Sequence, residues 1–199
     1  MANTVIRTVR CLGLLLLAWA TFPSVGLAHR LDEYLQATLV SIEPDEVRLQ
    51  INLTPGVAIA EQVLALIDLD RDGTISTNEA KAYCELVERD LVVRLDQRKV
   101  ALKLAASNFP VPVELRTGWG IIQMEFSAQV GPLAAGAHRI TISNRHLLSS
   151  SVYLLNAARP RSGSVHITQQ TRNEAQSTGE IKFTIDSRDT YLSRSRKLN

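Results

Sequence analysis

An alternation of apolar and polar residues recurs along most of this chain and gives way once to a helical period. Val47, Leu49, Ile51 and Leu53 alternate with Arg48, Gln50, Asn52 and Thr54. Successive side chains of a strand point to opposite faces, so this run predicts a strand with one buried and one wet face. Pro44-Asp45-Glu46 offers turn residues leading back to an earlier strand, about Tyr34 to Ile42. Similar runs follow at Leu91–Leu95 and Val100–Leu104, joined by a turn at Asp96-Gln97-Arg98. The longest covers residues 122–130, with Ile122, Met124, Phe126 and Ala128 on one side. Shorter ones occupy residues 138–142, 152–154, 165–167 and 181–185, separated by Gly, Pro, Ser and Asn. Short strands at this spacing predict a mainly β fold: an antiparallel, Ig-like β-sandwich of about eight or nine strands.

The helical interruption covers residues 57–90, after the break at Pro55-Gly56. Ala60, Val63, Leu64 and Ile67 share one helical face, and Ala80, Tyr83, Cys84 and Val87 share another. Between them runs Asp68-Leu-Asp70-Arg-Asp72-Gly73-Thr74-Ile75-Ser76-Thr-Asn-Glu79. A hard cation such as calcium needs six to eight oxygens, and this spacing supplies them from one short loop. Asp68, Asp70 and Asp72 offer carboxylates at positions 1, 3 and 5, and Gly73 permits the sharp turn at position 6. Thr74 offers its carbonyl, Ser76 acts directly or through water, and Glu79 closes the site with two oxygens.

Over residues 59–87 the chain therefore resembles the EF-hand family, with every ligand position filled. The resemblance implies a bound calcium ion held by Asp68, Asp70, Asp72, Thr74, Ser76 and Glu79. EF-hands usually pair, and this sequence has no second loop. A lone hand is less preorganised, which places the expected affinity near the weak extracellular class, about 10⁻⁴ to 10⁻³ M. That suits a static brace in a calcium-rich compartment better than a signalling switch.

A broader resemblance rests on His29-Arg-Leu-Asp-Glu-Tyr-Leu, the inserted loop, Asn144-Arg-His and Ser151-Val-Tyr-Leu-Leu-Asn-Ala. These look like the exported region of bacterial hydrogenase- and urease-accessory (HupE/UreJ-type) and nickel/cobalt-exporter-like membrane proteins. In those proteins a sandwich precedes a bundle of membrane helices. The resemblance implies an accessory or recognition module with a possible membrane-protein partner, without a transport activity of its own.

The first residues bear on compartment. Arg7 and Arg10 precede an apolar run from Cys11 to Phe22, and Ser24, Gly26 and Ala28 follow. A basic stretch, a short apolar run and small residues predict a secretory signal over residues 1–28. Cleavage there makes the protein periplasmic or secreted, with no transmembrane segment after the signal. The domains expected are the signal, a sandwich over 29–186 with the hand inserted at 57–90, and a flexible basic tail over 187–199. The 22 basic and 20 acidic residues of the whole chain lose only two arginines with the signal, leaving a neutral mature protein. No global field for nucleic acid remains. Cys84 becomes the only cysteine, which rules out an intrachain disulfide.

The remaining candidates are weaker. A new N-terminus at His29 would pair an α-amine with an imidazole, a chelate for Cu(II) or Ni(II). The alternative function is accordingly a periplasmic transition-metal-binding accessory protein, with a further nitrogen drawn from His138, His146 or His166. Cys84 reads as a small buried hydrophobe. Asn52 heads a glycosylation sequon but sits in a strand. Trp119 reads as a core residue at the start of the long strand. Linear hydrolase, metalloprotease and phosphate-loop motifs are missing, so no enzyme activity is expected.

Overall fold

The computed structural model describes residues 32–187; the expected signal, His29 and residues 188–199 lie outside them. Ten strands form two five-stranded sheets, giving a mainly β sandwich. Along the first sheet the order is β5 (Lys103–Asn108), β6 (Ile122–Gln129), β2 (Glu46–Pro55), β1 (Tyr34–Ile42) and β8 (Ser151–Ala157). Along the second it is β4 (Arg98–Val100), β3 (Leu91–Leu95), β7 (Gly136–Asn144), β10 (Thr178–Ile185) and β9 (Val165–Arg172). The alternating apolar sets meet between the sheets. Leu49, Ile51, Leu53 and Phe126 of the first face Val93, Ile140, Ile142 and Phe183 of the second, all buried. Each such side chain withdrawn from water contributes about 1.5–3 kcal/mol.

The sandwich departs from expectation in two ways. The run Val100–Leu104 is not one strand. Arg98–Val100 pairs with β3 in the second sheet, whereas Lys103–Asn108 pairs with β6 in the first. Leu102 lies buried where the chain crosses between them, and this division yields the tenth strand. The sheets are also not wholly antiparallel, because β1 and β8 pair in parallel from Tyr34↔Ser151 to Val40↔Ala157. A tight hairpin would force antiparallel pairing. Here β1 and β8 are far apart in sequence, and residues 145–150 carry the chain from β7 across to the first sheet.

The inserted segment begins with a 3₁₀ turn at Val57–Ile59. Helix α1 (Ala60–Ile67) and helix α2 (Thr77–Asp90) follow, and α2 runs directly into β3. Val63, Leu64 and Ile67 of α1 and Tyr83, Cys84 and Val87 of α2 are buried, as their stripes require. A short helix, α3 (Pro112–Arg116), was not expected; Pro112 begins it, and Leu115 is fully buried beside α1.

Trp119 corrects the sequence reading, for it is 80% exposed. The amides of Trp119 and Gly120 both bond to the carbonyl of Glu114, drawing the backbone tight against α3. A Cβ at Gly120 would stand 2.7 Å from the Leu115 nitrogen, so glycine alone allows this approach. The indole therefore points outward, and Ile122 takes the core position.

Candidate metal centre

The loop between α1 and α2 owes its shape to hydrogen bonds from its own carboxylates. Ser76 caps α2: its hydroxyl accepts from the Glu79 amide at 3.3 Å, and Glu79 Oε2 accepts from the Ser76 amide at 2.9 Å. This reciprocal box satisfies donors that a helix start leaves orphaned. The other Glu79 oxygen, Oε1, accepts from the Leu69 amide at 2.7 Å and ties the end of the loop to its beginning. Asp68 closes the middle, accepting from the amides of Asp72 at 3.1 Å and Gly73 at 3.0 Å. Gly73 has φ of +82° with open space around it, so backbone conformation rather than crowding calls for glycine.

Donor atoms of Asp68, Asp70 and Glu79 all lie within 4.8 Å of one another. Asp68 and Glu79 are buried and Asp70 is exposed, so the group opens on one side to water. Hydrogen bonds from the Ser76 backbone and then its side chain hold the Glu79 carboxyl below its ordinary range, and they outweigh the opposing effect of burial. The group is thus an all-oxygen, anionic donor set, the chemistry of a hard divalent cation. Of the other expected ligands, Asp72 stands outside this cluster. Its Oδ1 accepts from both the amide and the hydroxyl of Thr74, each at 2.7 Å. The Ser76 hydroxyl donates to Glu79 Oε2 at 2.8 Å.

The expected nitrogen site does not gain from the structure. His29 lies outside the described residues. Each of the other histidines already has an aspartate: His138 beside Asp96 at 2.7 Å, His146 beside Asp90 at 2.8 Å and His166 beside Asp186 at 3.1 Å. Cys84 is buried on the inner face of α2, with its thiol pushed up by that burial.

A buried polar network below the helix–loop–helix escaped the sequence reading. The Tyr34 and Tyr83 hydroxyls are 2.7 Å apart, and Tyr83 lies 3.0 Å from His146 Nε2. With Nδ1 beside Asp90, the line Tyr34–Tyr83–His146–Asp90 joins β1, α2 and the connection after β7. Gln36 extends it, donating to the His146 carbonyl at 2.8 Å and accepting from Asn144 at 2.8 Å. Tyr153 donates to the same carbonyl at 2.7 Å. The segments Asn144-Arg-His and Ser151-Val-Tyr carried the signal, but nothing local tells that they converge on Tyr34 and Gln36. Although the line resembles a catalytic relay in connectivity, Tyr83 is only 1% exposed and its hydroxyl is raised by burial far from nucleophilic readiness. It meets protein on every side, as a tether does.

No protein-family model matches the chain, and no curated protein matches it. Among the described residues, no helix is long and apolar enough to cross a membrane.

Proposed function

We propose that this is an exported calcium-binding β-sandwich module in which the ion braces the junction of α1 and α2. The observation that carries the reading is the meeting of Asp68, Asp70 and Glu79 donors within 4.8 Å, inside a loop with twelve-residue ligand spacing. Asp72, Thr74 and Ser76 would complete the oxygen shell. The role is structural or adaptor-like, in the service of a membrane metal transporter.

Binding to the native state alone adds RT ln(1 + [Ca]/Kd), about 1.4 kcal/mol at 1 mM calcium for a Kd near 10⁻⁴ M. For a domain of this size the melting temperature should rise by roughly 2–5 °C. Asp68→Ala and Glu79→Gln should each abolish the rise, the second by removing charge from a bidentate ligand. Magnesium should substitute poorly, because it wants a smaller octahedral shell and keeps its waters. Calorimetry and melts on chelator-treated protein test this. Neither heat nor a shift at about 5 mM calcium, some fifty times that Kd, would end the proposal.

A further inference from the structure

The outer face of the second sheet is basic, although the mature chain is neutral by sequence. Strand register places its outward side chains in two neighbouring rows. Arg94 lies opposite Lys99 on β4 and Thr141 on β7, and Thr141 lies opposite Glu180 on β10. In the next row Arg139 lies opposite Lys182. Four cations thus share the face with Glu180, which divides its carboxylate between Arg139 at 3.5 Å and Lys182 at 3.8 Å. Arg94 donates to the Gln97 carbonyl at 3.4 Å, and neither it nor Lys99 has a carboxylate partner among the described residues. Asp96, at the β3–β4 turn, is engaged by His138 and the Arg139 amide. Four cations against Glu180 leave a charge of +3 in these two rows, and Asp186, which follows β10 and lies 3.1 Å from His166 of β9, is an acid at the sheet's other side.

β10 ends at Ile185 opposite Gly136, close to Arg139, whose carbonyl accepts from the Asp96 amide at the β3–β4 turn. Beyond Ile185 the sequence holds Arg188, Arg194, Arg196 and Lys197 against Asp186 and Asp189.

We infer that this face is a docking surface for an anionic phospholipid bilayer. Charge complementarity requires an anionic partner, and the remaining surface selects among them. The large exposed apolar side chains lie elsewhere: Leu35, Leu39, Val152 and Leu154 on the first sheet, and Trp119 beside α3. The basic face thus offers neither an aromatic platform on which bases stack nor an apolar anchor of the kind that dominates protein interfaces. Cations spread over a sheet face match a broad array of headgroups, each adding about fivefold to the affinity.

The test uses protein beginning at His29, so that the apolar run Cys11–Phe22 cannot itself insert. Co-sedimentation with phosphatidylcholine vesicles containing phosphatidylglycerol should show binding that salt reverses, and phosphatidylcholine alone should show none. Arg94→Gln combined with Lys99→Gln should weaken binding by about 20–30-fold. Both residues point to solvent, and unchanged circular dichroism would confirm an intact fold. A second variant converts the four basic residues after Ser187 to glutamine and should keep salt-reversible binding. Equal binding to both vesicle types overturns the proposal. So does undiminished binding of the Arg94/Lys99 variant, binding abolished by the tail variant alone, or association with DNA or an acidic peptide but not with vesicles.

Discussion

His146 and His138 each place Nδ1 beside an aspartate oxygen, 2.8 Å from Asp90 and 2.7 Å from Asp96. Their second nitrogens meet different chemistry. Nε2 of His146 faces the Tyr83 hydroxyl, which can donate, whereas Nε2 of His138 faces the Ala134 carbonyl, which can only accept. Every polar atom finds a partner if His146 is neutral and His138 carries both protons. Environment acts in the same direction. Burial lowers the affinity of His146 for a second proton, and the Asp90 hydrogen bond and charge do not make up the loss. Burial opposes charging of His138 as well, but there the Asp96 hydrogen bond, the Ala134 carbonyl and the Asp96 charge prevail and raise it. Asp96 is lowered in turn, its own burial outweighed by the bonds from His138 and the Arg139 amide. A histidine–aspartate pair does not fix its own protonation; the third partner and the access of water decide it.

The contrast is broken most directly by removing that third partner. Tyr83→Phe deletes one oxygen, leaving His146 Nε2 without a donor and the Tyr34 hydroxyl without an acceptor, both in the core. A buried polar atom left unsatisfied costs about 1–3 kcal/mol, so the loss here should reach roughly 2–4 kcal/mol by urea unfolding. His138→Gln should cost less, about 0.5–1.5 kcal/mol, because its partners Asp96 and Ala134 are exposed and water replaces the lost bonds. If the two variants prove equally costly, the buried line does not tether α2.

The next prediction concerns pH, and the two histidines act with opposite sign. His146 is depressed in the fold, so its contribution is complete above the ordinary imidazole value near 6.5. That contribution is lost as pH falls below 6.5 towards its folded value. His138 is raised, so its contribution is complete below about 6.5 and is lost as pH rises through its folded value. The cost of His138→Gln should accordingly be larger near pH 5.5 than near pH 8.5. Urea midpoints across this range check it, and a cost that grows with pH would reverse the charge assignment to His138.

Both histidines also mark how far the sequence could be read. The strand Tyr34–Ile42 and the helical stripes were legible because periodicity is local, and the carboxylate cluster was legible because Asp68, Asp70 and Glu79 lie within one loop. The position of His138 on the face of Ile140 and Ile142 was visible too, and its ring stacks on buried Phe183. The company of His146 was not visible, because Gln36, Tyr83 and Asp90 come from elements 56 to 110 residues away. The parallel β1–β8 pairing was hidden for the same reason, since alternation specifies a face and not a neighbour. Trp119 misled because its apolar bulk suggested burial, while the backbone contact of Gly120 with α3 decides where it points.

The smallest expected effect sharpens the comparison by asking whether the proposed ion is felt at one histidine and not the other. Glu79 and Tyr83 stand four residues apart on α2, on adjacent turns of one face. Asp90, the last residue of that helix, holds the opposite side of the His146 ring. Any movement of α2 as an ion draws on Glu79 therefore changes both hydrogen bonds of His146. His138 is held by the β3–β4 turn and by Ala134, neither of which belongs to the helix–loop–helix. Adding calcium to chelator-treated protein should shift the His146 ring nitrogens in nitrogen-15 NMR spectra and leave those of His138 in place. Glu79→Gln should abolish the response. Calorimetric binding with both rings unmoved would confine the ion's effect to the loop, and equal movement of both would mean that the whole sandwich adjusts and that α2 has no special part in it.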